Sequence, residues 1–192
     1  MKTALVLSGG GSKGAMQLGF LKYLHEQGLR PDAIYGSSVG ALNGAGYAYM
    51  GLEKLEEVWF GIKSRSKIFS FNWKTLLFFQ SGGIYNSTPL RKSIEKNIVG
   101  TPVCDVYVCK VSLITGEIKY GKSGEEDFID SVVASSSVPG YSEPVGEWAD
   151  GGIRQQSPLS RAIQDKPDKI VVILCNPLKD LPAYGKVGSI FK

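Results

Sequence analysis

The sequence predicts an α/β fold built on a mostly parallel sheet. Two short apolar runs, residues 3–7 and 33–35, lie on either side of an amphipathic stretch, and a third, stronger apolar run occupies residues 169–175. Short continuous apolar runs are typical of strands buried on both faces, and amphipathic stretches between them are typical of helices. A strand, a crossover helix and a second strand form a βαβ unit, which implies that the two strands are parallel.

Length and composition indicate one globular domain over residues 1–192. Apolar residues make up 43% of the chain and charged residues 21%, values that exclude a disordered chain, a collagen-like fibre and a coiled coil. No apolar run reaches the about 18–20 residues that span a bilayer, and the apolar start is too short for a signal peptide. The net charge of +4 is too small to indicate nucleic acid as a partner. We therefore expect a cytoplasmic protein.

The remaining elements are predicted from periodicity and from turn residues. In chain order they are a strand over 3–7, a glycine-rich loop, a helix from 15 to the glycine at 28, a strand over 33–35, a helix over 39–50, a helix over 90–98, a hairpin of 103–112 with 117–120, a helix over 129–134 and a strand over 169–175. Residues 178–192 are predicted to form a loosely held tail.

A serine lies between the second strand and the helix that follows it. Residues 36–40, Gly-Ser-Ser-Val-Gly, match the G-x-S-x-G pattern of a nucleophile elbow. Glycines at 36 and 40 let the chain reverse sharply, and the hydroxyl of Ser38 is then presented at the positive end of the next helix. The alternative is that Ser37 or Ser38 only caps that helix.

A glycine-rich loop, residues 9–14, follows the first strand and opens the first helix. It fits the G-x-G-x-x-G loop of a dinucleotide-binding fold, and it equally fits a turn whose backbone N–H groups stabilise an oxyanion. The dinucleotide alternative needs an acidic residue at the end of the second strand, whereas Asp32 precedes that strand. A Walker-type phosphate loop is excluded because Lys13 is followed by Gly14.

A serine nucleophile needs a proton acceptor, and the chain contains one histidine, His25. His25 lies in the middle of a predicted helix, away from the strand ends, so a carboxylate is the better candidate. Asp150 enters the tight turn 150–152, Asp-Gly-Gly, which fixes its side chain. An aspartate of ordinary pKa, about 4, is a useful base only within hydrogen-bonding reach of the serine in a pocket with little water. The alternative is an ordinary Asp-Gly turn between strands.

No metal or other cofactor is expected. With a single histidine, the chain has no Cys, His and carboxylate cluster at ligand spacing. The three cysteines are predicted to be buried, reduced thiols. Cys104 and Cys109 point to opposite faces of a predicted strand and so cannot pair with each other.

Taken together, the motifs resemble those of the patatin-like phospholipase family. The glycine-rich loop, the serine elbow and Asp-Gly-Gly occur in this order with a single stray histidine, and residues 134–139, Ala-Ser-Ser-Ser-Val-Pro, resemble the family's A-S-x-x-x-P segment. The resemblance runs over residues 5–158. It implies a three-layer fold with helices on both faces of the sheet, related in architecture to α/β-hydrolases. It also implies cleavage of fatty-acyl esters of lipids at a membrane surface, without a cofactor.

The resemblance assigns a role to each motif. Ser38 is the expected nucleophile and Asp150 the expected base of a Ser–Asp dyad that works through an acyl-enzyme. The other expected site residues are Gly9, Gly10 and Gly11 for the oxyanion hole, and Lys13, Gly14, Gly36, Gly40, Gly151 and Gly152 as motif support. In one departure, Gln156 stands where the family commonly has Asn, and we expect the longer amide to support the loop less well. In another, the chain ends soon after Cys175, which we expect to leave the sheet edge more open.

Residues 59–80 are not accounted for by the resemblance. The segment holds seven of the chain's twenty aromatic residues and four cations, Lys63, Arg65, Lys67 and Lys74, but no acid. Cations beside Trp and Phe are typical of an interfacial lipid contact. The alternative is that the aromatic side chains are ordinary core and the cations its solvated edge.

Overall fold

The structure is a computed structural model, and it describes residues 1–71 and 83–177. Within these ranges the strands are β1 (Thr3–Leu7), β2 (Ala33–Ser37), β3 (Ser70–Phe71), β4 (Tyr85–Asn86), β5 (Asp105–Ser112), β6 (Ile118–Lys122), β7 (Trp148–Asp150) and β8 (Lys169–Ile173). The α-helices are α1 (Gly14–Glu26), α2 (Val39–Gly61), α3 (Thr88–Asn97), α4 (Phe128–Ser135) and α5 (Leu159–Gln164). Short 3₁₀ turns occupy Gly11–Lys13, Arg65–Lys67 and Gly151–Ile153.

One mixed sheet forms the centre of the fold. Its strand order is β6-β5-β2-β1-β8, with β7 added to β5, while β3 and β4 form a separate two-stranded sheet. β1 is parallel to both β2 and β8, and β2 is parallel to β5, whereas β6 and β7 are antiparallel to β5. The mostly parallel α/β fold predicted from the sequence is confirmed.

Helices cover both faces of the sheet. Every residue of β1 is buried, as expected for a central parallel strand. Alternate residues of β1 enter two cores: Leu5 and Leu7 pack with residues of α1 to α4, and Ala4 and Val6 pack with Ala162 of α5. The domain therefore has three layers, with the larger core on the side of α1 to α4.

Several element boundaries differ from the predicted ones. The predicted helix over 39–50 continues to Gly61 after an interruption at Gly51, whose φ of 76° and ψ of 174° are not helical. The helix resumes because Leu52 and Leu55 pack against the larger core. β5 begins at Asp105, so Cys104 precedes the strand, and β8 ends at Ile173, before Cys175. The predicted tail over 178–192 lies outside the described residues.

β2 and β7 meet end to end along one edge of β5. On that edge Ser37, the last residue of β2, pairs with Cys109. The next position along β5, Lys110, pairs with Asp150, the last residue of β7. β6 pairs with residues 107–111 and so occupies the other edge. The end of the second strand and the end of β7 are thus brought to one point, although they are far apart in the chain.

None of the helices in the described part of the chain combines the length and the apolar character needed to cross a bilayer.

Candidate active site

Ser38 occupies the sharp turn between β2 and α2. Its backbone has φ 54° and ψ −127°, a conformation that residues other than glycine rarely adopt and that marks a strained site. The turn depends on the two flanking glycines. A Cβ at Gly36 would lie 2.5 Å from the Gly40 carbonyl oxygen, and a Cβ at Gly40 would lie 2.2 Å from the Leu7 carbonyl oxygen. The predicted elbow is therefore present, with the positive end of α2 directly after the serine.

Asp150 ends β7 and is almost completely buried, with 4% of its surface exposed. Its backbone N–H donates to the carbonyl oxygen of Ser137 at 2.9 Å. Its carboxylate oxygen Oδ1 accepts a 2.7 Å hydrogen bond from the N–H of Gly152. The second glycine of the Asp-Gly-Gly turn thus orients the carboxyl group, while the sheet and the Ser137 carbonyl fix the backbone.

The structure brings Ser38 and Asp150 together. Burial raises the pKa of the Asp150 carboxyl group, and hydrogen bonds from the Ser38 side chain and from the Gly152 amide act in the opposite direction without cancelling the rise. A carboxylate with a raised pKa holds a proton more readily than an ordinary aspartate. The pair therefore combines a hydroxyl group in a strained turn with a buried acceptor suited to take its proton.

The segment 134–139 at the end of α4 contacts both residues of the pair. The Ser135 hydroxyl oxygen accepts a 3.0 Å hydrogen bond from the backbone N–H of Ser38. Two residues later, the Ser137 carbonyl oxygen accepts the N–H of Asp150. Sequence reasoning used this segment only as part of the family pattern and gave neither serine a role. The structure assigns both of them to holding the pair in place.

The glycine-rich loop lies directly beside the elbow. A Cβ at Gly9 would lie 3.1 Å from the Cβ of Ser38, so the loop approaches the serine as closely as a glycine allows. The Gly9 N–H donates to the Gln156 carbonyl oxygen at 2.8 Å. Within the described ranges, the N–H groups of Gly10 and Gly11 have no hydrogen-bond acceptor.

Gln156 supports the loop from the other side of the site. Besides its carbonyl contact, its side-chain Nε2 donates to the Gly9 carbonyl oxygen at 3.3 Å. The longer amide thus reaches the loop backbone, and the expectation that it supports the loop less well than asparagine stays a prediction.

The other motif residues serve close packing. A Cβ at Gly14 would lie 2.2 Å from Val39 Cγ2, so this glycine lets α1 approach α2. A Cβ at Gly151 would lie 2.5 Å from Cys109 Sγ, so that glycine lets the aspartate turn lie against β5. The side chain of Lys13 is exposed, and its Nζ donates to the Asn176 side chain.

Two residues considered as alternatives lie elsewhere. His25 is exposed near the C-terminal end of α1, where its carbonyl oxygen accepts hydrogen bonds from Arg30 and Gly28. Asp32 lies at the opposite end of the sheet from the glycine-rich loop, where its Oδ2 accepts the N–H of Thr3 at 2.7 Å. β2 therefore has no acidic residue at its C-terminal end, next to the glycine-rich loop, where the dinucleotide alternative needs one.

A partly exposed polar cluster next to the aspartate turn has no signal in the sequence. The N–H of Gln155 donates to the Gly151 carbonyl oxygen at 2.7 Å, and the Gln155 side chain bonds to Tyr120 and Ser160. Cys109 lies beside it, and burial raises the pKa of this thiol to about 12. All three cysteines are free and buried, which confirms that prediction.

Only part of the predicted lipid-contact segment is described. Phe60 and Phe71 are exposed, whereas Phe69 packs edge-on against Tyr141 with ring centroids 5.3 Å apart. The rest of the segment, including Lys74, lies outside the described residues, and so the prediction for it stays untested. The described residues contain no group of three or more His, Cys, Asp and Glu side chains that could hold a metal ion.

Three proteins illustrate what the chain is similar to. The triacylglycerol lipase ptl3 of Schizosaccharomyces pombe is 50% identical over 54 residues, which cover 28% of this chain and 11% of that protein. The patatin-like phospholipase domain-containing protein ZK370.4 of Caenorhabditis elegans is 28% identical over 153 residues, covering 77% of this chain and 11% of that protein. A cGAMP-activated phospholipase of Escherichia coli is 28% identical over 189 residues, covering 80% of this chain and 52% of that protein. The chain thus spans between about a tenth and about half of the length of these relatives.

A family model gives broader coverage. The model described as patatin-like phospholipase matches residues 5–163, which include the glycine-rich loop, the serine elbow, the segment 134–139 and the aspartate turn. This range also contains β2, β5 and β7 and the last three residues of β1, the strands that bring the motifs together. The chain belongs to the patatin-like phospholipase family.

Proposed function

We propose that the chain is a serine acyl hydrolase that cleaves fatty-acyl esters of lipids through a Ser–Asp dyad. The observation that carries the proposal is the junction of β2 and β7 on one edge of β5, which brings the Ser38 side chain close enough to the buried Asp150 carboxyl group to lower its pKa against the effect of burial. No imidazole is needed between them, because the only histidine of the chain lies exposed on α1.

In the first half-reaction Ser38 Oγ attacks the ester carbonyl carbon and its proton passes to Asp150. The tetrahedral intermediate then collapses, the bond to the leaving alcohol breaks, and that alcohol takes the proton from Asp150. The acyl group is left on Ser38 as an ester. Burial of Asp150 favours this use, because a raised pKa brings the carboxylate closer to the proton affinity that a general base needs.

In the second half-reaction water attacks the acyl-enzyme while Asp150 accepts its proton. Collapse returns that proton to Ser38 Oγ and releases the fatty acid. In both steps the negative charge on the carbonyl oxygen needs donors that are already in place. The N–H groups of Gly10 and Gly11 support this role, since within the described residues they have no acceptor and their loop lies against Ser38.

We propose lipid esters as the substrate class, presented at a membrane surface. The support is the family itself and the names of relatives, which include a triacylglycerol lipase and a phospholipase. The glycerolipid and the acyl position that are cleaved follow from the shape of the acyl-binding surface, and assays with defined lipids will identify them.

A fluorophosphonate probe followed by intact-mass and peptide mapping tests the nucleophile. We expect one adduct, on Ser38, and no adduct on the Ser38→Ala variant. Ser38→Ala and Asp150→Asn are each expected to abolish ester hydrolysis, whereas His25→Ala is the matched control and retains it. A folded but inactive His25→Ala variant would favour a Ser-His-Asp triad. Stabilisation by NAD or FAD without any labelling would instead support the dinucleotide alternative.

A further inference from the structure

Four aliphatic side chains on turns near Asp150 are exposed. They are Leu113, Ile114, Val138 and Ile153, which we call the apolar rim. Ile114, at the turn that joins β5 to β6, is 78% exposed. Single exposed aliphatic residues are ordinary, but a group of them around one site marks an interaction surface.

Hydrogen bonds connect the turns that carry the apolar rim. Ile153 ends the 3₁₀ turn after Asp150, and the next residue, Arg154, donates to the Gly116 carbonyl oxygen at 3.0 Å. Gly116 belongs to the same turn as Ile114. On the other side, Val138 directly follows Ser137, whose carbonyl oxygen accepts the N–H of Asp150. The rim is thus attached to the backbone that holds the catalytic carboxyl group of the proposed dyad.

The charges on these turns are all of one sign. The glycine-rich loop and the turns 113–116, 138–141 and 151–155 contain no Asp or Glu, and their only charged residues are Lys13 and Arg154. Both side chains are exposed. Two acids lie next to the turn 113–116: Glu117, which pairs with Lys119 at 3.6 Å, and Glu147, whose carbonyl oxygen accepts the Leu113 N–H. An apolar patch that carries two exposed cations is complementary to a bilayer that contains anionic lipids, because aliphatic side chains enter the acyl boundary while Lys and Arg remain at the phosphates.

We propose that the apolar rim, with Lys13 and Arg154, is the surface by which the protein docks on an anionic phospholipid bilayer. Docking there brings the end of the sheet that carries Ser38 and Asp150 to the lipid. The inference deepens the proposed function and rests on it for the orientation of the site, but the docking itself is measurable without catalysis. It also differs from the surface predicted at residues 59–80, because none of the rim residues belongs to that segment.

The test compares substitutions at the two ends of β5. Ile114 lies beyond its C-terminal end and Val103 precedes its N-terminal end, and the two side chains have the same exposure, 78%. Ile114→Asp and Val103→Asp therefore make the same change in charge at equally exposed positions. Both are made in the Ser38→Ala background, so that lipid is not consumed. Co-sedimentation is measured with vesicles of equal parts phosphatidylcholine and phosphatidylglycerol, and with phosphatidylcholine alone.

We expect the unaltered rim to bind the mixed vesicles more tightly than the zwitterionic ones. Ile114→Asp is expected to weaken binding to the mixed vesicles by at least about tenfold, because it replaces buried aliphatic area with a repelled charge. Val103→Asp is expected to leave binding unchanged. Failure of the parent protein to bind, or equal effects of the two substitutions, would overturn the proposal. Lipid-free self-association that Ile114→Asp abolishes would also overturn it, in favour of a second copy of the chain.

A soluble short-chain ester separates docking from chemistry. With the Ser38 hydroxyl restored, Ile114→Asp is expected to hydrolyse p-nitrophenyl butyrate at the normal rate but to lose hydrolysis of vesicle lipid. If the unsubstituted protein hydrolyses neither substrate, the proposed function fails while the vesicle-binding comparison still decides the docking surface. If Ile114→Asp hydrolyses vesicle lipid at the normal rate, the docking surface is wrong and the proposed function stands.

Discussion

Gln156 hydrogen-bonds to both backbone polar groups of Gly9. Its carbonyl oxygen accepts the Gly9 N–H at 2.8 Å, and its side-chain Nε2 donates to the Gly9 carbonyl oxygen at 3.3 Å. Gly9 in turn lies against Ser38, where a Cβ would approach the serine Cβ to 3.1 Å. The segment that follows Asp150 therefore fixes the loop beside the serine, and the glycine-rich loop and the aspartate turn form one hydrogen-bonded unit.

The first prediction concerns this contact. Gln156→Ala removes the side-chain hydrogen bond and keeps the carbonyl one, so the loop is loosened but not released. A hydrogen bond of this kind contributes about 0.5–1.5 kcal/mol, so we expect kcat for ester hydrolysis to fall by up to about tenfold. KM for a soluble ester is expected to stay the same, since the contact orients the loop rather than binding substrate.

Gln164→Ala is the matched control, because Gln164 is an exposed glutamine at the end of α5. It is expected to leave kcat unchanged. Equal kcat values for the two variants would show that the side-chain bond of Gln156 does not support the loop.

The second prediction concerns the space beneath the loop. A Cβ at Gly10 would lie 2.3 Å from the Cβ of Cys175, so Gly10→Ala must displace the loop or the segment that follows β8. We expect it to lower kcat by at least about a hundredfold, in the range seen when an oxyanion donor is lost. Labelling by a fluorophosphonate and kcat for a soluble ester are the measurements.

Two further variants make the steric explanation testable. Gly19 lies in α1 with no atom within 4 Å of an added Cβ, so Gly19→Ala is expected to stabilise the protein by about 0.5–1 kcal/mol in urea unfolding and to keep activity. Cys175→Gly removes the clashing Cβ and is expected to restore part of the activity of Gly10→Ala. A double variant as inactive as Gly10→Ala alone would contradict this explanation.

The loop and the elbow could be predicted because their chemistry needs glycine. At Gly36 and Gly40, backbone atoms occupy the space where a side chain would be. Such a site requires glycine at fixed spacing, and this spacing can be recognised in the sequence. The buried strands β1 and β2 could also be predicted from the sequence, because each is a short continuous apolar run. These features are local, and they are decided by a few adjacent residues.

The junction that completes the site could not be predicted from local pattern. β7 has three residues, too few to show a period, and its position depends on its register with β5. The roles of Ser135 and Gln156 depend on the same junction, because each contacts a segment distant in sequence. The Asp-Gly-Gly turn marked Asp150 only as a candidate, and resemblance to the family gave it its expected role. That the Gly9 N–H is used by Gln156 also depends on a contact distant in sequence.

The third prediction concerns pH. Burial raises the pKa of Asp150, and the proposed mechanism needs its carboxylate form. We expect kcat/KM for a soluble ester to fall on acidification with a midpoint above the pKa of an ordinary aspartate, about 3.9. A midpoint at or below that value would show that Asp150 is not the titrating base.

The same shift predicts an effect on stability. Because the folded state has the higher pKa, it holds the proton of Asp150 more tightly than the unfolded chain, and stability is lost as the pH rises through the folded-state pKa. Asp150→Asn removes this cost, so we expect the inactive variant to have the higher Tm at neutral pH. The difference should shrink below the pKa of an unfolded aspartate. A variant that is less stable at neutral pH would contradict the assignment.

The fourth prediction concerns the serine that holds the elbow. Ser135→Ala leaves the backbone N–H of Ser38 without its acceptor at a turn whose φ is already 54°. An unsatisfied donor of this kind costs about 1–3 kcal/mol, so we expect a loss of that size in urea unfolding and about a tenfold slower reaction with a fluorophosphonate. Ser136→Ala is the control, because the neighbouring hydroxyl only returns a hydrogen bond to the Val132 carbonyl oxygen within α4. It is expected to change stability by less than about 1 kcal/mol and to keep the labelling rate. Equal labelling rates for the two variants would show that Ser135 stabilises the fold without positioning Ser38.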